Sequence, residues 1–342
     1  MSTQKVLIIA EAGVNHNGDL EKAVELIKVA SAAGADFVKF QTFKAENIVS
    51  RKAKKAAYQI QNMHDNESLQ FNMLKNLELD DDAHHFLIEE CKKHDIAFLS
   101  TAFDVEGIDY LDTLGLSIFK SPSGEITNRP YLERIASLGK PIILSTGMAS
   151  FVEVEAAIQV LNENGVKKDD ITVLHCNTEY PTPMKDVNLH AMNWMSEKLG
   201  VSIGYSDHTL GIEVPIAATA LGAKVIEKHF TLDRTLPGPD HKASLEPDEL
   251  KSMVLGIRNI ELAISGDGIK KPTESEKKNI EIARKSIHAK KDLVIGQIIS
   301  ENDLIPLRPG SGISPMEWNK VVGKRVTKSC SAFELLTWDM FE

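Results

Sequence analysis

Eight times in the first three-quarters of the chain, a short run rich in Val, Ile, Leu or Phe breaks off into residues that can do chemistry. The endings are Glu11, Lys39-Phe40-Gln41, Ser100-Thr101, Lys120-Ser121-Pro122-Ser123-Gly124-Glu125, Ser145-Thr146, His175-Cys176-Asn177, Ser206-Asp207-His208 and Glu227-Lys228-His229. Lys39 and Lys120 offer two cations, and Ser123, Ser145, Thr146 and Ser206 offer hydroxyl donors. Together these are the ingredients of a phosphate or carboxylate cradle. The competing use of a lysine is a Schiff base with a carbonyl substrate, as in barrel aldolases. The residue types leave both open.

His208 and His229 can share one divalent cation through neutral imidazole nitrogens, with Asp240 reaching the ion or a substrate hydroxyl. Nitrogen and carboxylate ligands without a thiolate point to Mn, Mg, Co or Zn. Glu11 and Glu125 are candidates for moving protons or orienting water. Their alternative role is to pair with Lys39 or Lys120 and hold it straight.

Strand side chains alternate between faces, so residues of equal parity point together. Val225, Glu227 and His229 share a face, as do Ser206 and His208, Lys39 and Gln41, and Leu7, Ile9 and Glu11. The expected strands are 6–10, 37–40, 96–100, 117–120, 141–145, 171–176, 201–205 and 224–228. Helix-like segments separate them, the first over 20–33, and Gly34, Gly115, Gly139, Gly165, Gly200 and Gly222 stand where helices should stop. This alternation predicts a (β/α)8 TIM barrel with its chemistry at the C-terminal ends of the strands. An open doubly wound sheet is the weaker alternative, because no Gly-x-Gly-x-x-Gly turn follows the first strand.

The long stretch 44–82 after the second strand, with a helix expected around 68–75, is a candidate substrate cover, the alternative being surface decoration. A helix is expected over 247–265. The polar segment that follows, with two glycines and a proline, reads as a linker. The expected domains are therefore a barrel over 1–265, a linker over 266–283 and a small, mostly irregular or β-type domain over 284–342.

The 342 residues suffice for a barrel and a second domain. A formal charge of -10 argues against nucleic acid. Three scattered cysteines imply neither a disulfide framework nor a metal cluster. No signal peptide or bilayer-length apolar run is found, so a cytoplasmic protein with no membrane partner is expected.

Seven segments together resemble the bacterial sialic acid synthases. They are Ala10-Glu11-Ala12-Gly13-Val14-Asn15-His16-Asn17-Gly18, Val38-Lys39-Phe40-Gln41, Lys120 to Glu125 and Leu144-Ser145-Thr146-Gly147-Met148. The others are Tyr180-Pro181-Thr182-Pro183, Gly204-Tyr205-Ser206-Asp207-His208-Thr209 and Glu227-Lys228-His229-Phe230-Thr231. The resemblance covers essentially the whole chain. It implies condensation of phosphoenolpyruvate with a mannosamine-type sugar to give a nine-carbon α-keto acid. It also implies a C-terminal antifreeze-like (SAF) domain, matched by Arg284-Lys285-Ser286-Ile287 and Leu307 to Ile313, and a domain-swapped homodimer.

Carried over by position, Lys39, Lys120, Ser123, Ser145 and Ser206 would hold phosphoenolpyruvate, with Asn177 or Thr178 beside it. His208 and His229 would bind Mn2+. Gln41, Asn62, Glu125, Tyr180, Asp240 and, from the partner, Arg308 would contact the sugar, and Glu11 would act near the reacting carbons. The sixth ending, His175 to Pro183, and the segment Pro122 to Asn128 are similar to the legionaminic acid synthases. The product implied is N,N'-diacetyllegionaminate, from 2,4-diacetamido-2,4,6-trideoxymannose. The alternative is N-acetylneuraminate from N-acetylmannosamine, and the remoter one a Schiff-base sialic acid aldolase.

Overall fold

The eight apolar runs become eight parallel strands: β1 Leu7–Gly13, β2 Phe37–Thr42, β3 Ala97–Ala102, β4 Phe119–Ser121, β5 Ile142–Ser145, β6 Ile171–Cys176, β7 Ser202–Asp207 and β8 Val225–His229. In the computed structural model, which describes residues 5–55, 60 and 69–342, they close into a barrel in sequence order. The pairing of β1 with β8, from Leu7 opposite Val225 to Glu11 opposite His229, completes the ring and excludes the open sheet. Several strands run one to three residues beyond their expected ends. The polar endings keep the ladder, with Glu11 opposite Lys39 and Asp207 opposite Lys228.

Helices cover the outside for local reasons. Leu20–Ala33 starts at Asp19, whose carboxylate accepts from the backbone of Glu21 and Lys22, and stops at Gly34. Phe151–Glu163 opens with a capping box between Ser150 and Glu153. The last barrel helix, Pro247–Ala263, returns to the first strand: Arg258 donates to Asp36 and Glu261, while these carboxylates accept from the amides of Ile8 and Val6. The apolar strand and helix faces between them form one continuous core.

A buried polar chain braces β2 and β3. His84 Nδ1 faces the Asp80 carbonyl at 2.8 Å and so carries the proton. Its Nε2 therefore accepts from Thr42 Oγ1 at 2.7 Å, and Thr42 in turn accepts from Ser100 Oγ.

Beyond β2, short helices Ala45–Ile48 and Gln70–Lys75 are tied down by Glu78, which accepts from the Ala45 amide, and by Lys75, which bridges Glu46 and Glu78. Val14, Phe43, Met73 and Leu77 form a separate apolar cluster here. Asn62 lies outside the described residues.

The chain divides into two compact units after Gly266. The second, Asp267–Glu342, departs from the expected linker in one respect: Glu274–Ala283 is a helix, opened by a Thr273–Glu276 capping box. It belongs to this unit, because its Glu281 carbonyl accepts from Gly310 N–H. With no buried residue and a charged surface, it has the composition of a linker. Antiparallel strands β9 Ser286–Ala289 and β10 Leu304–Leu307 pack in a small core with Leu293, Val321 and Leu336. No helix among the described residues is long and apolar enough to cross a membrane.

Candidate active site

A cavity of about 710 Å³ opens at the C-terminal end of the barrel strands. Among the described residues of the barrel unit, all the expected site residues line it except Asn177.

Its floor is ionic. Lys39 Nζ lies 2.8 Å from Glu11 Oε2 and donates to Thr101 Oγ1 at 2.9 Å. Lys120 Nζ donates to Ser145 Oγ at 2.7 Å. Glu227 stands between the two ammonium groups, 3.6 Å from each. Burial alone would raise its pKa, but Lys120, Lys39 and the Ser206 hydroxyl overcome that and hold it at about 2. Glu11 goes the other way: burial pushes it up to about 7 against the pull of Lys39. At neutral pH Glu227 is therefore ionised while Glu11 is poised to gain or lose a proton. Burial lowers the pKa of Lys120, with Glu227 pulling the other way.

The wall at β4 to β6 depends on a close approach at Gly147. Its N–H donates to Ser123 Oγ at 2.9 Å. A Cβ there would fall 2.5 Å from Thr178 Cγ2 and 2.9 Å from Ser123 Oγ. Ser123 also meets Cys176 Sγ at 3.3 Å. Thr146 turns away, its hydroxyl donating to the Leu174 carbonyl.

Over β7 and β8 the cavity is lined by imidazoles. The rings of His208 and His229 lie 5.3 Å apart, and Tyr180 stacks on His208 at 4.0 Å with its face turned edge-on to His229. His208 Nδ1 donates to the Asn177 carbonyl, which leaves Nε2 as its basic nitrogen. Burial holds His208 at about 4 and His229 well below its ordinary value, so both rings are neutral. His229 Nδ1 is buried without a hydrogen-bond partner, 4.0 Å from Asp240 Oδ2. Burial raises Asp240 to about 6.

Neutral imidazoles, one oriented by a carbonyl and one with an orphaned nitrogen, suit a divalent cation. Among the described residues no group of three or more His, Cys, Asp or Glu side chains is arranged to hold one. An ion at this pair would therefore need substrate or water to complete its ligands.

β1 closes the site. Gly13 sits at a break in the β1–β2 register with φ +53, and a Cβ there would lie 3.3 to 3.4 Å from Glu11, Gln41 and His229.

Within the barrel unit the expected residues are thus largely brought together, with one separation. Asn177 spends its side chain on the Glu179 amide and its carbonyl on His208, so Thr178 is the one that faces the cavity. Arg308 is exposed in the second unit. Sequence reasoning missed the parts played by Glu227, Thr101 and Cys176, although all three stand in the polar endings. Glu227 shares the face of His229, and that parity was the available signal.

Comparison with known proteins agrees with this arrangement. The NeuB family model matches residues 26–270, and an SAF domain model matches 284–342. The chain belongs to the NeuB family. An N,N'-diacetyllegionaminic acid synthase from Campylobacter jejuni is 57% identical, over 97% of this chain and 99% of its own length. Another of that name from Legionella pneumophila is 48% identical, over 100% of this chain and 96% of its own. Among solved structures, an N-acetylneuraminic acid synthetase from Leptospira borgpetersenii, crystallised with citrate, superposes with a TM-score of 0.71. It is 36% identical and covers 82% of this chain and 91% of its own. This NeuB chain is a carbon–carbon bond-forming synthase of the sialic acid type.

Proposed function

We propose that the chain condenses phosphoenolpyruvate, water and 2,4-diacetamido-2,4,6-trideoxymannose to N,N'-diacetyllegionaminate and phosphate. The carrying observation is the meeting, in one cavity, of the Lys39–Glu227–Lys120 floor with two neutral imidazoles. The first suits a multiply charged anion and the second a divalent cation. The names of the two relatives at 57% and 48% identity support the choice of sugar over N-acetylmannosamine.

In this reading Lys39, Lys120, Ser123, Ser145 and Ser206 hold the phosphate and carboxylate of phosphoenolpyruvate, with Thr178 at its edge. The open-chain sugar extends past Gln41, Glu125, Tyr180 and Asp240. His208 and His229 would hold Mn2+, which as a Lewis acid supplies polarisation of the aldehyde. The methylene carbon of phosphoenolpyruvate forms the new bond to the aldehyde carbon, and the aldehyde oxygen ends as a hydroxyl. Cationic character then appears at the carbon bearing phosphate, where the ionised Glu227 and Glu11 stabilise it. Water adds there and Glu11, its pKa raised to about 7 by burial, takes one of its protons, which balances the proton gained by the aldehyde oxygen. The tetrahedral adduct breaks its C–O bond, phosphate leaves with the electron pair and the adduct's hydroxyl proton, and the α-keto acid remains.

In this reading the protein is a homodimer in which Arg308 of the partner subunit completes the sugar site. A cytoplasmic location goes with these substrates. The test is phosphate release from the purified protein. It is expected only with both substrates and Mn2+ present and is abolished by EDTA; undiminished release from metal-free protein would contradict the role given to the histidines.

A further inference from the structure

The cavity has a second wall that the ionic chemistry leaves unused. Along the segments after β2 and β3 it is lined by Phe43, Ile48, Met73, Leu74, Leu77 and Phe103. Phe43 and Phe103 meet edge to face at 6.0 Å. Met73 and Leu77 form the buried base, whereas Ile48, Leu74 and Phe103 are half-buried and present carbon to the cavity. The segment is anchored from outside by Lys75 between Glu46 and Glu78. Among the described residues Gln70, at the start of the helix that carries Met73 and Leu74, adds a polar group to this wall.

Phosphoenolpyruvate is an anion and has no use for such a wall. A mannosamine with a hydroxymethyl terminus is poorly matched too, because its C6 hydroxyl would lose water and gain no partner. A sugar ending in a methyl group and carrying acetyl methyls is matched.

We infer that this apolar wall is the subsite for the methyl-bearing end of the sugar and sets selectivity for a 6-deoxy over a 6-hydroxy substrate; the inference rests on the synthase reading above. The C6 methyl packs against Ile48, Leu74 and Phe103. The amide of Gln70, which both donates and accepts, pairs with the 4-acetamido group. Selectivity then resides in the segment after β2, not in the strand ends that perform the reaction. A change in this segment shifts the choice of sugar without touching the anion floor.

The test compares two sugars that differ only at carbon 6, N-acetylmannosamine and 2-acetamido-2,6-dideoxymannose, by phosphate release with saturating phosphoenolpyruvate and Mn2+. Wild-type protein is expected to favour the 6-deoxy sugar in kcat/KM by roughly tenfold or more, the scale set by one apolar group in a hydrophobic pocket. Leu74→Asn is expected to bring that ratio towards one, with the KM for phosphoenolpyruvate unmoved, and Leu74→Met to retain it. Should Leu74→Asn fail to fold, Ile48→Thr makes the same measurement. Equal use of the two sugars by wild-type protein, or an equal loss on both in Leu74→Asn, would overturn the subsite. No phosphate from any sugar, the diacetamido one included, would instead sink the synthase reading together with it.

Discussion

Ser206 Oγ donates to Glu227 Oε1 at 2.8 Å across the β7–β8 ladder, where the two residues are register partners. The bond fixes the carboxylate so that one oxygen faces Lys120 and the other Lys39. A cradle for a multiply charged anion thus carries its own internal counter-charge, which keeps two buried ammonium groups together before any ligand arrives.

Glu227→Gln preserves the shape and the contact with Ser206 but removes that charge. Lys39 keeps Glu11, but Lys120 loses its carboxylate; stranding a buried charge costs about 3–5 kcal/mol, so the ligand-free variant should melt well below wild type. Inorganic phosphate should restore more of the melting temperature in the variant than it adds to wild type. A variant as stable as wild type without anion would remove Glu227 from this role.

Gly13→Ala places a methyl group between Glu11, Gln41 and His229, on a backbone with φ +53. The left-handed conformation costs an alanine about 1–2 kcal/mol. We expect that loss in urea unfolding, together with a fall of roughly tenfold or more in kcat/KM from displaced site atoms. Wild-type kinetics would show that the site tolerates a Cβ there.

Buried histidines make the barrel acid-sensitive. His16 Nδ1 accepts from the Gly18 amide at 3.0 Å, and burial lowers its pKa to about 4; His84 is lowered for the same reason. Unfolded histidine binds protons below about 6.5. Between the two values the unfolded state holds protons that the folded state lacks. Stability is therefore full above about pH 6.5 and falls as the pH drops towards 4. For His16 the loss between pH 7 and 5 is on the order of 2 kcal/mol. Urea unfolding at the two pH values checks it, and His16→Gln should flatten the profile; an identical slope in the variant would assign the effect elsewhere.

Lys228 and Asp207 form an ion pair at 2.5 Å with both side chains fully buried, directly before His229 and His208 in the chain. Lys228 also donates to the Thr209 carbonyl, and Asp207 accepts from the amide and hydroxyl of Thr209. Lys228→Met strands a buried carboxylate and should cost about 3–5 kcal/mol. Adding Asp207→Asn should recover a substantial part, as measured by denaturant midpoints. Additive losses in the double variant would contradict the pairing.

The barrel and most of the site were legible because each relies on strand periodicity. Alternation alone puts Lys39 with Gln41 and Glu227 with His229, and eight such endings on parallel strands must converge. The role of Glu227 was not legible, since it depends on barrel closure bringing together side chains more than 100 residues apart in the chain, Lys120 on β4 and Glu227 on β8. The apolar wall escaped for another reason: Phe43, Ile48 and Leu74 show no shared period, and only tertiary packing gathers them. The helix at 274–283 carried a readable Thr273–Glu276 signal but lacks an apolar face. Asn177 looked like a ligand by residue type, yet its side chain and its carbonyl are both spent on ordering the loop that holds His208.

Condensation of phosphoenolpyruvate with a diacetamido sugar at this site is read from its products, by mass spectrometry after competition between N-acetylmannosamine and 2,4-diacetamido-2,4,6-trideoxymannose with Mn2+ present. N,N'-Diacetyllegionaminate is expected to dominate and to accumulate one-for-one with phosphate. Predominant N-acetylneuraminate would contradict the choice of sugar, and cleavage of either acid to pyruvate with a borohydride-trapped lysine adduct would contradict the reaction itself.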